Sequence, residues 1–200
     1  MPSPNLMGSI LARQTKRVKI AVIGNALRLY NPVTRVAEEF AMIDVISGGR
    51  LIAGLVVGGG PEYYSFSMNP TNARAMFQEG MDLVLRAWTE PGPFEHYGEF
   101  WKLKYVNPWP RPIQKPHPTV WIPGAGSVET WRWAAEMDYV FCYLSYYGYK
   151  MARNVMKGFW EEMARLGKDR NPYRAGFAQV VGVAESRQQA LDLYTEPAEY

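Results

Sequence analysis

Residues 119–143 read TVWIPGAGSVETWRWAAEMDYVFCY. Thr119 to Ile122 is a short apolar run that stops on Pro-Gly-Ala-Gly, as a buried strand stops at its carboxyl end. Ser127, Glu129 and Thr130 then stand where a helix starts, and Asp138 to Tyr143 ends the stretch as a second strand. A strand, a helix and a strand in so short a span predict a βαβ unit, whose two strands can only run parallel.

The same alternation extends outward in both directions. Further strands are expected at Val18 to Gly24, Leu51 to Val57 and Gly176 to Val183. Between them lie helical stripes. Val33, Val36, Ala37, Phe40 and Ala41 follow Asn31-Pro32, and Ala73, Met76, Phe77, Gly80, Met81, Val84 and Trp88 follow Asn69-Pro70. Tyr147 to Leu166 carries a third stripe, and helices are also expected at Asn5 to Gln14 and from Ser186 to Tyr194. Strands buried on both faces and joined by helical crossovers imply an α/β fold with a parallel sheet, doubly wound or closed as a barrel.

Glu90 to Pro118 breaks the rhythm with seven prolines and no helical stripe. Phe94, Tyr97, Phe100, Trp101 and Trp109 give it apolar matter to pack, so it reads as an excursion over a face, expected to roof a site. The rest of residues 1–200 reads as a single domain.

Composition excludes several classes of function. The net charge of +3 comes from 22 basic and 19 acidic residues scattered along the chain, without a block of like charge, so neither nucleic acid nor a membrane surface is expected as a partner. One cysteine excludes an internal disulfide, and with only two histidines, His96 and His117, no metal site is expected. No run approaches the roughly 20 apolar residues that cross a bilayer. A soluble, cytoplasmic protein is expected.

Two glycine-rich turns are the candidate sites. In GAGSVET, backbone N–H groups at a helix start can face an anion, and Ser127 and Thr130 can turn both hydroxyls toward it; equally, Ser127 can simply cap the helix. The run GLVVGGG at 54–60 ends a strand without side chains, which allows a flat ligand to approach or merely a turn to form. Asp44 is expected to accept hydrogen bonds from the Ser47-Gly48-Gly49 turn or to pair with Arg50. The pairs Glu38-Glu39 and Glu161-Glu162 are expected on solvated helix faces. No serine has the glycine-flanked elbow of an acyl-transfer nucleophile.

Taken together, ARQTKRVKI at 12–20, RVAEEFAMID at 35–44, SGGR at 47–50, the glycine turn before PEY at 61–63, Gly98, PRPIQ at 110–114 and Gly126-Ser127 resemble the bacterial luciferase-like flavin-dependent monooxygenases. The resemblance runs from about residue 5 to residue 195 in one order. It implies a (β/α)8 TIM barrel with the cofactor at the carboxyl ends of the strands. Such a barrel takes about 250 residues, so five strands make it partial, lacking N- and C-terminal strands. Ser127 and Thr130 match the family's phosphate-binding positions, with the amide of Gly126 nearby. Asn25, Ala26, Val57 and Gly58 would border the flavin ring, and Val57 stands where some members carry an arginine.

The activity implied is oxygenation of a small apolar organic substrate by reduced FMN and O2 through a flavin C4a-peroxide, in a homo-oligomer supplied by a separate flavin reductase. Relatives that transfer a hydride to a deazaflavin share much of the pattern. A non-catalytic flavin-binding partner subunit is a third reading.

Overall fold

A computed structural model describes residues 3–145 and 148–198. The chain runs α1 (Pro4–Gln14), β1 (Ile20–Ala26), α2 (Thr34–Ser47), β2 (Leu51–Val56), α3 (Gly60–Ser65), α4 (Ala73–Thr89), β3 (Phe94–Tyr97), β4 (Lys102–Val106), β5 (Thr119–Gly124), α5 (Val128–Glu136), β6 (Val140–Leu144), α6 (Gly148–Arg165), β7 (Ala175–Ala178) and α7 (Arg187–Ala198). Strands β1, β2, β5, β6 and β7 form one sheet in that order, every pair parallel. A helix follows each strand, so the alternation expected from the sequence is the architecture. Tyr147, the expected first residue of the helix seen as α6, lies outside the described residues. Among those described, no helix is long and apolar enough to cross a membrane.

Strand β7 is shorter than the expected Gly176 to Val183. Its ladder pairing ends where Leu144, the last residue of β6, meets Ala178, and the Ser145 amide adds one bond to the Ala178 carbonyl at 3.2 Å.

The helical stripes bury as their spacing requires. Val33, Val36, Ala37, Phe40 and Ala41 are fully buried, and each larger side chain among them contributes about 1.5–3 kcal/mol on leaving water. Phe40 stacks on Trp88 of α4 with ring centroids 6.3 Å apart, and the Trp88 indole donates to the Ala37 carbonyl at 2.9 Å. That bond ties α4 to α2 without orphaning the indole N–H. A second cluster forms where Trp131, Phe141 and Phe159 meet, with centroids 5.3 to 6.1 Å apart.

Asp44 and Arg50 have partners other than those expected. Asp44 is fully buried; one carboxylate oxygen accepts from the amides of Ile113 and Gln114 at 2.9 and 3.0 Å, the other from the Gln114 side chain at 2.6 Å. It therefore anchors the proline-rich excursion, not its own turn. The five N–H donors of Arg50 reach the carbonyls of Ala12, Thr15, Val18 and Ser47 and the Thr15 hydroxyl, at 2.7 to 2.9 Å. The carbonyls exposed by the end of α1 need donors more than Asp44 does.

Glu162 also departs from expectation. It is buried and bridged at 2.6 Å by Arg132 from α5 and by Arg165, and these partners, Arg165 foremost, hold its carboxyl below the usual range. A carboxylate on a nominally solvated face becomes a tie between helices once an arginine arrives from the neighbouring one.

Residues 94–106 of the excursion form an antiparallel hairpin, which prolines and scattered aromatics had concealed. Glu79 of α4 holds it, accepting from the amides of Phe100 and Trp101 and meeting His96 Nε2, each at 3.0 Å. Burial pushes the Glu79 carboxyl up, and the bonds to His96, Phe100 and Trp101 together outweigh it, leaving the pKa below its ordinary 4.5. A carboxyl lowered by folding stabilises above its unfolded pKa and ceases to do so as pH falls through the folded one. Glu79→Gln is therefore expected to cost about 2 kcal/mol at neutral pH. In chemical denaturation, the gap between parent and variant should close progressively below pH 4.5.

Candidate functional site

The carboxyl ends of β2, β5 and β6 surround a cavity of about 610 Å³, within the size range of small-molecule and cofactor sites. Its walls are largely apolar. Leu55, Val56 and Val57 come from β2 and its end, Ile122 and Pro123 from β5, Leu144 from β6, and Phe77 and Trp133 from α4 and α5. None of the lining residues comes from 90–118, so the excursion packs on α4 and leaves the expected roof to other segments.

Two of the expected ring-bordering residues, Val57 and Gly58, line this cavity together with Thr130. Gly58 has φ +94°, a backbone conformation open to glycine, and a Cβ there would press on Ala26 and Tyr63 at 3.3 Å. The Tyr63 hydroxyl lies 3.3 and 3.2 Å from the carbonyl oxygens of Val57 and Gly58, donating to one at a time. Beneath it, Arg28 is 6% exposed, with its guanidinium 4.8 Å from the Tyr63 ring centroid and Nη2 donating to the Asn69 carbonyl. Arg28 thus braces the glycine turn from below. The only sequence signal for it is a lone charge inside the run NALRLY at 25–30.

Asn25 and Ala26 fall elsewhere. Both line a neighbouring cavity of about 310 Å³, where Glu62 is shared with the first. The Asn25 amide exchanges two hydrogen bonds with Asn5 of α1, at 3.1 and 2.8 Å, and Asn5 donates to Glu39 at 2.6 Å. Its side chain is committed to holding α1 on the sheet.

At the start of α5 the two expected hydroxyls converge. Ser127 Oγ and Thr130 Oγ1 are 2.9 Å apart, and the Thr130 amide donates to Ser127 Oγ at 3.2 Å. Ser127 is the helix cap; Thr130 lines the cavity with the Gly124-Ala125 turn, while Ser127 and Gly126 are not among its lining residues. Gly126 takes φ +115° there.

The neighbouring titratable groups are quiet. Cys142 of β6 is fully buried, and burial pushes its thiol up to about 11, so it stays protonated and unreactive at neutral pH. Burial first, and Glu39 second, raise the Tyr30 phenol in the neighbouring cavity. His117 packs on Trp88, its Nδ1 2.8 Å from the Pro118 carbonyl. The cavity can hold and orient a ligand.

The sequence profile of the luciferase-like monooxygenases matches residues 1–200. The chain belongs to the luciferase-like monooxygenase family. It is 32% identical over 128 residues to the oxygenase component of a flavin-dependent trigonelline monooxygenase from Acinetobacter baylyi, covering 60% of this chain and 34% of that one.

Among solved structures, monooxygenase RslO1 from Streptomyces bottropensis superposes with a TM-score of 0.81 at 23% identity, over 99% of this chain and 60% of that one. The oxygenating constituent of 3,6-diketocamphane monooxygenase from Pseudomonas putida, a type II Baeyer-Villiger enzyme in complex with FMN, superposes with a TM-score of 0.76 at 21% identity, over 98% and 57%. These structures share the fold, an α/β barrel of the luciferase-like type. The chain spans about a third of the Acinetobacter relative's length.

The lining of the cavity fits a flavin. The apolar walls between Val57 and Trp133 suit an uncharged aromatic ring system, and Thr130, its hydroxyl 2.9 Å from that of Ser127, brings to the lining a group that suits a phosphate.

Proposed function

We propose that this chain is part of a flavin-dependent monooxygenase that uses reduced FMN and O2 on a small, largely apolar organic substrate. The observation that carries the reading is a cavity with apolar walls at the carboxyl ends of the strands, with Thr130 of a helix start in its lining and its hydroxyl beside that of Ser127. When bound, the reduced flavin supplies the electrons and the carbon centre that activate oxygen. The protein's share is placement and dryness. Val57 and Gly58 present backbone and small side chains to a flat ring, Phe77 and Trp133 exclude water, and Ser127 and Thr130 with the Gly126 amide hold the phosphate.

A separate reductase as the source of reduced flavin is supported by the Acinetobacter relative, named an oxygenase component. Self-association is supported by the apolar side chains that α1 and α2 leave exposed, Leu6, Ile10, Met42, Val45 and Ile46.

The test is a flavin titration. The protein is expected to bind FMN more tightly than riboflavin, and Ser127→Ala with Thr130→Ala is expected to remove most of that preference, about 10-fold or more for two hydrogen bonds to a charged group. Equal affinity of the parent for both flavins would sink the phosphate site. Hydride transfer to a deazaflavin, with no oxygen-dependent product from reduced FMN, would transfer the assignment to the second reading.

A further inference from the structure

The neighbouring cavity of about 310 Å³, at the carboxyl end of β1, has a chemistry of its own. Two aromatic side chains, Tyr30 and Phe66, and two carboxylates, Glu39 of α2 and Glu62 of α3, line it. Among the described residues no lysine, arginine or histidine does so.

Neither carboxylate is balanced by a close cation. Glu62 accepts from the Gly59 amide at 2.9 Å and takes part in none of the ion pairs among the described residues. Glu39 accepts from the Asn5 side-chain amide at 2.6 Å. Arg35 stands 3.9 Å from Glu39, spends its 2.6 Å contact on Glu38 and is 58% exposed, so solvent screens its charge. The Glu39 charge does reach Tyr30, whose phenol is raised by burial first and by that carboxylate second. Two negative charges in a concave, partly apolar space focus a negative potential into it. Aromatic rings add to that potential through their π faces.

The position of the cavity says what it adjoins. β1 and β2 pair as far as Ala26 and Val56, so the two cavities open at adjacent strand ends, and Glu62 lines both. A substrate has to sit against the cofactor that oxidises it.

We propose that the cavity at the end of β1 is a substrate site, and that it selects an organic cation, a protonated or quaternary nitrogen on a small apolar body. This rests on the reading of the first cavity as a flavin site. Glu39 and Glu62 meet the positive charge, while Tyr30 and Phe66 supply aromatic surface for the nitrogen and the carbons around it. A neutral analogue forgoes the first contribution, and an anionic one is repelled.

The probes are benzyltrimethylammonium and benzylamine, with benzyl alcohol and benzoate as the neutral and anionic counterparts of the same ring. They are titrated calorimetrically into the protein with and without saturating FMN, at low and high salt. Both cations are expected to bind about 10-fold or more tightly than benzyl alcohol, and benzoate more weakly still, with the preference shrinking at high salt. Glu39→Gln and Glu62→Gln keep an acceptor oxygen for Asn5 and Gly59, and each is expected to weaken the cations about 10-fold while leaving benzyl alcohol unchanged. Tyr30→Leu, which keeps apolar bulk without a π face, is expected to weaken them about 5-fold. Glu39 does not line the flavin cavity, so FMN affinity and the melting curve of Glu39→Gln should overlay the parent's, which separates a lost charge from a lost fold.

Equal affinity for all four probes, or binding of none, in a protein that takes up FMN overturns the cation site and leaves the flavin reading standing. So do cation affinities untouched by both glutamine variants. Cations and FMN that displace one another would share one cavity, which overturns a separate substrate site. A protein that binds the cations but no flavin overturns the assignment to a substrate together with the reading beneath it.

Discussion

Gly54→Ala is expected to be among the most damaging single substitutions in the sheet, costing about 3 kcal/mol or more, at the upper end of overpacking effects. A Cβ on Gly54 would overlap the Val22 carbonyl oxygen and come within 2.8 Å of the Ile23 Cα. Both obstacles are backbone, which no rotamer change can move aside. They arise because β1 crosses β2 closely where their register shifts, between Val22 and Asn25. Relief would require separating two parallel strands that carry the core residues Val22, Ala53 and Leu55. Gly60→Ala is the control, since a Cβ there meets nothing within 4 Å, and it should stay within about 0.5 kcal/mol of the parent. Urea unfolding of the two variants side by side decides the matter; coincident midpoints would show that β1 and β2 are not held as closely as described.

Asp44→Ala is expected to lose about 3–5 kcal/mol, because a fully buried carboxylate is removed and three donors are left facing a void. Gln114 cannot compensate by rotating its amide. Its Nε2 also donates to the Leu51 carbonyl at 2.9 Å, so a flip would set oxygen against oxygen. Asp44→Asn keeps an acceptor for the two amides and should lose about half as much. Leu51 begins β2 and the cavity lies at its other end, so FMN affinity of the folded fraction should be unchanged in either variant. Abolished flavin binding with an unaltered melting curve would make Asp44 part of the site instead of a strut.

Several parts of the molecule were legible because their signal is local. The stripe from Val33 to Ala41 repeats within one helix, and helix packing needs nothing more specific than that repeat. Ser127 and Thr130 stand three apart at a strand-to-helix turn, so their hydroxyls meet by helix geometry alone, at 2.9 Å. The glycines of residues 58–60 likewise end a strand in the sequence as they do in the fold.

Other parts depend on partners far along the chain. Asp44 finds its donors 69 and 70 residues away, Glu79 its hairpin about 20 residues on, and Glu162 an arginine 30 residues back. Asn25, expected beside a ligand, spends its amide on Asn5 20 residues earlier.

The sequence by itself determined the alternation of strands and helices, the parallel sheet and the position of the hydroxyl pair, since each follows from hydrophobic period and turn chemistry over a dozen residues or fewer. Only the tertiary structure decided which polar side chains are struts and which remain free to meet a ligand. A buried carboxylate or amide is satisfied by whichever donor the fold delivers, and so Asp44, Glu79 and Asn25 are consumed by packing while Thr130 is left lining the cavity.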